Sequence, residues 1–196
     1  MNYLAHFYLS GNNDEVLFGN FIGDLVKGKQ WKTYRKEVQK GILLHRFIDD
    51  FIDKHPLARN SRKRIRSSFG ITSAVVLDIY FDHFLSINWM NYNDITLEEF
   101  SKITFDRLRP FKNEMTGFYP IMIDKMESES WINSYKSISG TAFVLERMSK
   151  RVRFENNWNI AEQVLRDNYE GLQEDFEGFF PDMIKGVEKS YDIKPL

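Results

Sequence analysis

The sequence predicts an all-α fold, a single-domain helical bundle, and three observations carry that reading. Apolar residues recur three and four positions apart through most of the chain, which is the period of one helix face. The prolines at 56, 110, 120, 181 and 195 read as boundaries between these periodic runs, because proline suits a helix start and breaks a helix interior. There is no Asn-Gly hairpin signal, internal repeat or low-complexity tract. At roughly 150 residues per domain, the 196 residues correspond to one domain spanning 1–196.

The elements follow in order. Tyr3, Leu4, Phe7 and Tyr8 form the apolar face of a first helix, which Ser10-Gly11-Asn12-Asn13 ends. A second helix is expected from Asp14 to Val26, capped by Asn13 or Asp14 and stopped by Gly28. A third runs from Tyr34 to Lys54, through Val38, Ile42, Leu44, Phe47, Ile48, Phe51 and Ile52. Pro56 opens a basic helix that reaches about Ser68, and Gly70 breaks the chain. Thr72 or Ser73 caps an apolar helix through Trp89; its Val75-Val76 start would suit a strand, but the pattern continues beyond strand length. Thr96 and Glu99 have capping-box spacing, so a further helix starts there and stops before Pro110. Helices are also expected over 119–135, 139–152 and 158–179.

Composition narrows the function classes. Lysine and arginine number 27 and acidic residues 28, giving a formal charge of −1. That balance excludes a globally basic nucleic-acid binder and an acidic disordered tail. The absence of cysteine excludes disulfides, thiolate zinc sites and cysteine nucleophiles. No apolar run approaches about 20 residues, and MNYLAHFYLS has no basic region before its apolar stretch. The expectation is a cytoplasmic protein that neither spans nor binds a membrane and does not bind nucleic acid. There is no G-x-G-x-x-G, P-loop, G-x-S-x-G or H-E-x-x-H; Gly19, Gly23 and Gly28 instead suit close backbone packing or the approach of a ligand near Asp24.

The informative residues are ionisable groups inside apolar helical patterns: His6, His45 and His83, accompanied by Asp24, Asp49, Asp50, Asp78 and Asp82. Residues four apart on a helix are offset by only about 40°, so His45 shares a face with Asp49, and Asp78 with Asp82. Charge in an apolar interior is costly unless paired, hydrogen-bonded or metal-bound. Imidazole and carboxylate together suit a divalent transition metal, and hence metal-assisted hydrolysis. The same residues also have a structural reading, as hydrogen-bonded core histidines and as aspartates paired with an arginine such as Arg46. His55, just before Pro56, reads as an exposed loop residue. Arg59, Arg62, Lys63, Arg64 and Arg66 put five positive charges into eight residues; they read either as a solvated helix face or as a docking patch for an acidic partner.

Taken together, MNYLAH, GNFIGDLVKG, GILLHRFIDDFIDKHP, DIYFDHFL, WINSYKSISGTAFVLERMSKRV and DNYEGLQEDFEGFFPDM resemble the acyl carrier protein phosphodiesterases. The resemblance spans nearly the whole chain. It implies an all-helical, HD-domain-like enzyme that removes 4′-phosphopantetheine from holo acyl carrier protein, with Mn²⁺ as the usual metal. Mg²⁺, Fe²⁺ and Zn²⁺ stay open at this stage. Carried over residue by residue, the family's motifs fall on His6, Asp24, His45-Arg46 with Asp49, and Asp82-His83. Asp82-His83 reverses the His-Asp order of ordinary HD enzymes, and His45 is separated from Asp49. The expected metal ligands are Asp24, His45, Asp49, Asp82 and His6, with His83 either a ligand or an orienting residue. Asp24 or His83 would handle protons, and Arg46 or Lys27 would face the phosphoryl group. Arg59, Arg62, Lys63, Arg64 and Arg66 would hold the acidic carrier protein. The rival expectations are an HD-like phosphohydrolase of nucleotides or other small phosphodiesters, and a non-catalytic helical module that binds an acidic partner.

Overall fold

In a computed structural model, which describes residues 1–149 and 156–196, every regular element among the described residues is helical. Helices α1 (Tyr3–Leu9), α2 (Asp14–Phe21) and α3 (Lys36–Lys54) carry the first part of the chain. Then come α4 (Pro56–Phe69), α5 (Ser73–Ile87), α6 (Leu97–Leu108), α7 (Tyr119–Ser128) and α8 (Trp131–Ser134). Helices α9 (Ile138–Ser149), α10 (Ala161–Asp167) and α11 (Tyr169–Tyr191) complete it. One continuous apolar cluster joins them, from Leu4 and Phe7 to Phe176, Phe179 and Phe180. The Thr96–Glu99 capping box forms as expected and α6 ends ahead of Pro110.

Three boundaries differ from the sequence expectation, each for a visible reason. Helix α2 ends at Phe21, and a 3₁₀ turn over Gly23–Leu25 replaces its expected last turn. The expected helix over 119–135 divides into α7 and α8, because Ser130 adopts a left-handed conformation with φ of 50°. The helix placed over 158–179 divides as well, since Asn168 turns its side-chain amide onto the Val164 carbonyl and ends α10. Its second part, α11, continues through Pro181 to Tyr191. Proline removes one helical donor there, while Met183 and Val187 extend the buried stripe beyond it. The expected helix over 139–152 is observed as α9 to Ser149; residues 150–152 lie outside the described residues.

Helices α2 and α3 cross at backbone contact. A Cβ on Gly19 would lie 2.2 Å from the Val38 carbonyl oxygen, and one on Gly41 would lie 2.2 Å from that of Val16. Only glycine permits this approach. The segment Pro56–Ile87 is long and apolar enough to cross a membrane by length and composition, with a mean hydropathy of 1.3 in its most apolar window. It bends at Gly70–Thr72 between α4 and α5, and 67% of that window is buried inside the protein.

Candidate metal centre

The crossing of α2 and α3 brings two histidines together. His6 on α1 and His45 on α3 stack, with ring centroids 4.4 Å apart. Asp49, one turn after His45, places Oδ1 3.3 Å from His6 Nε2 and Oδ2 3.2 Å from His45 Nε2. Asp24, carried on the 3₁₀ turn, brings Oδ1 within 3.3 Å of His45 Nε2. That turn approaches because residue 23 is glycine: a Cβ there would lie 2.3 Å from His45 Cγ.

Each ring is held at its other nitrogen by one residue. Asn20, wholly buried in the last turn of α2, accepts from His6 Nδ1 through its side-chain oxygen at 2.7 Å. Its main-chain carbonyl accepts from His45 Nδ1 at 2.9 Å. Nothing in the sequence reading singled out Asn20. The available signal was an amide side chain placed among apolar residues, next to Gly19.

The electrostatics of the group set two carboxylates against two buried imidazoles. Burial works against the charged form of His45, but the Asp24 and Asp49 carboxylates prevail and raise its pKa to about 9. Burial also opposes ionisation of Asp49, yet His45 and His6 hold its carboxyl far below the usual range. Contact with His45 lowers Asp24, while burial, and then the neighbouring His45, lowers His6. His45 Nε2 is buried without a hydrogen bond of acceptable geometry, although two carboxylates flank it. One donor atom each from His6, His45 and Asp49 lies within 4.8 Å of the others. This unpartnered nitrogen among oxygen donors fits a divalent ion, and the nitrogen–oxygen donor set suits Mn, Fe, Co or Zn.

The group opens on a cavity of about 470 Å³. Tyr3, Phe7, Phe21, Val75, Met148 and Trp158 supply its apolar wall, with Asp53 and Asp78 on the rim. A small pocket of about 10 Å³ shares Ile52, Asp53, Ala74 and Asp78 with the cavity and is also lined by Arg59 and Arg62 on α4.

Several expected site residues are placed elsewhere. Both oxygens of Asp82 are taken by main-chain N–H groups at the start of α1, from Asn2, Leu4 and Ala5 at 2.9–3.3 Å. The buried carboxylate thus anchors that helix at its positive end, with burial raising its pKa to about 7. His83 bonds the Tyr135 carbonyl at 2.6 Å and the Tyr169 hydroxyl at 3.2 Å, and does not line the cavity. Arg46 donates to the carbonyls of Val26 and Gly28 and so ties down the loop after Asp24. It pairs with neither Asp49 nor Asp50; the latter pairs with Lys54. Lys27 bonds the main-chain oxygen of Asp24 at 2.5 Å and is exposed outside the cavity. Asp78 pairs with the Met1 amino nitrogen at 2.8 Å rather than with an arginine.

The basic helix divides in two. Arg64, with Asn60 and Ser61, bonds the buried carboxylate of Asp175, which ties α4 to α11. Arg62 pairs with Asp53 at 3.1 Å. Arg59, Lys63 and Arg66 are exposed and form no ion pair among the described residues. His55 is not an exposed loop residue: it packs against Phe51 and Phe179, with Nε2 3.6 Å from Asp182 on α11.

Comparison with known proteins gives the family. The family model described as acyl carrier protein phosphodiesterase matches residues 1–183. A protein of that name from Klebsiella pneumoniae is 30% identical over 193 residues, covering 96% of this chain and 98% of its own. One from Salmonella paratyphi A is 30% identical over 185 residues, covering 94% and 96%, and one from Yersinia pestis is 28% identical over 193 residues. No solved structure matches the chain. With nearly its whole length matched, the chain belongs to the acyl carrier protein phosphodiesterase family.

Proposed function

We propose that this chain is a divalent-metal-dependent phosphodiesterase that hydrolyses 4′-phosphopantetheine from holo acyl carrier protein, leaving the apo carrier. It would be a divergent relative of the HD-type phosphohydrolases. The observation that carries this reading is the buried Nε2 of His45, flanked by Asp24 and Asp49 on the wall of the cavity. The relatives' name supplies the substrate class.

His6, His45 and Asp49, with Asp24 beside them, would hold the ion, with Mn²⁺ the expected metal. When bound, the ion supplies water acidified toward neutral pH and positive charge opposite the phosphoryl oxygens. The protein's own residues do the rest. Asp24, whose Oδ1 lies 3.3 Å from His45 Nε2, stands beside the ion's position, where its carboxylate can accept a proton from the attacking water. Water oxygen bonds to phosphorus, the bond from phosphorus to the carrier serine oxygen breaks, and that oxygen leaves with a proton. The cavity's mostly apolar wall suits the extended pantetheine arm. Arg59 and Arg62 line a small pocket that shares four residues with the cavity, so a carrier protein whose arm had entered would lie near them. Carrier proteins as a class are acidic, so exposed Arg59, Lys63 and Arg66 complement them in charge.

The test is incubation of the purified protein with holo acyl carrier protein and Mn²⁺, with and without EDTA, read by intact mass. Loss of the phosphopantetheine mass that EDTA prevents is the expected result. No loss across a panel of carrier proteins and metals would overturn the proposal and favour a small phosphodiester substrate. Unchanged carrier binding with no bound metal would instead favour a non-catalytic module.

A further inference from the structure

We propose that Asn20 is the positioning residue for both histidines of the metal centre, fixing a proton on each Nδ1 so that each Nε2 is left to face the ion. The proposal rests on the metal-centre reading above, and its argument is a closed hydrogen-bond account. Asn20 Nδ2 lies 2.9 Å from the His6 carbonyl oxygen and 2.9 Å from Ser10 Oγ. Ser10 directs its own hydroxyl hydrogen to that same carbonyl at 2.7 Å, so its oxygen is free to accept from Asn20. The amide orientation is therefore set, with nitrogen toward two acceptors and oxygen toward the His6 ring. An amide oxygen can only accept, so His6 Nδ1 at 2.7 Å must carry hydrogen. A neutral ring protonated at Nδ1 has its lone pair at Nε2. That nitrogen faces Asp49 Oδ1 at 3.3 Å and the Met1 carbonyl at 3.2 Å, a place for a cation rather than for a lone pair.

The main chain of the same residue does the equivalent for His45. A carbonyl in the last turn of a helix has no intrahelical N–H partner. Because α2 ends at Phe21, the Asn20 carbonyl, approached by the adjacent Ile22 N–H, keeps a lone pair for His45 Nδ1 at 2.9 Å. Had α2 continued regularly to Val26, that carbonyl would face the Asp24 N–H instead. A single buried residue at a helix end thus sets two ligands contributed by two other helices. Such supporting contacts typically govern metal affinity by about 10–100-fold.

The experiment uses the full-length protein. Long-range ¹H–¹⁵N correlation spectra of the metal-free form, at mildly alkaline pH, report the His6 tautomer, and Mn²⁺ titration followed by electron paramagnetic resonance reports affinity. Wild type should show His6 protonated at Nδ1. Asn20→Ala should shift His6 toward the Nε2-protonated form and weaken Mn²⁺ binding by about 10–100-fold. Asn20→Asp, which keeps an acceptor for Nδ1, should retain the wild-type tautomer, as should Ser10→Ala. An Nε2-protonated His6 in wild type would overturn the proposal without any variant, so a misfolded Asn20→Ala could not shield it. An unchanged tautomer and affinity in folded Asn20→Ala would also overturn it. An Nδ1-protonated wild type that takes up no Mn²⁺ would overturn the metal reading and leave the tautomer assignment supported.

Discussion

His45 is where burial and charge act against each other most directly. Its pKa in the metal-free protein is raised from the ordinary 6.5 to about 9, so the folded state binds that proton more tightly than the unfolded chain does. The associated stability is complete below about pH 6.5 and is lost as pH rises through about 9. Asp49 has the opposite sign, its contribution being lost only in acid, so it does not offset His45 in this window. The expected outcome in EDTA is a melting temperature that falls between pH 6.5 and 9, and falls less in His45→Ala, where only groups such as Asp82 and the Met1 amino group still contribute. A flat profile by calorimetry would contradict it. A bound metal takes the proton's place, so metal-loaded protein should lose this dependence. His45→Ala, Asp49→Ala and Asp24→Ala should each lower turnover by on the order of a hundredfold or more while keeping the helical circular-dichroism signal. Wild-type turnover in any one of them would remove that residue from the mechanism.

At the scale of elements, the site depends on how closely helices can approach. Gly41→Ala would press a methyl into the Val16 carbonyl and the Asn20 amide, and should cost about 1–3 kcal/mol of stability in denaturant unfolding. Gly23→Ala meets the His45 ring itself, so it should weaken Mn²⁺ binding more than it lowers stability. Equal effects of the two substitutions would show that the 3₁₀ turn does not position His45. Element type was legible from apolar spacing and from caps such as Thr96–Glu99, because both are local properties of the chain. Ends were less so. A left-handed Ser130 carries no signature that sets it apart from a helical serine, and Pro181 is tolerated because the apolar stripe of α11 outlasts it. The site shows the same limit. His6, Asp24, His45 and Asp49 were legible as polar groups where a core would not choose them. Asp82 and His83 gave that same signal, and only tertiary placement separates an anchor of α1 and a core histidine from ligands.

Over the whole molecule, the basic helix lies close to the cavity, since Arg59 and Arg62 line a small pocket that shares Asp53 and Asp78 with it. Charge reversal by Arg59→Glu with Lys63→Glu should raise KM for the carrier protein several-fold, leave kcat unchanged and weaken the salt dependence of KM. Unchanged KM would place docking elsewhere. Arg64 is unsuited to that test, since reversing it would confront the buried Asp175 carboxylate. The candidate donors all lie between residues 6 and 49, whereas the apolar cavity wall is shared between Tyr3, Phe7 and Phe21 of that same stretch and Val75, Met148 and Trp158 from the remainder of the chain. Only the Val75, Met148 and Trp158 side of the wall lies outside the stretch that carries those donors. A lineage, or an engineer, can reshape that side of the chamber while leaving the first quarter of the chain as it is.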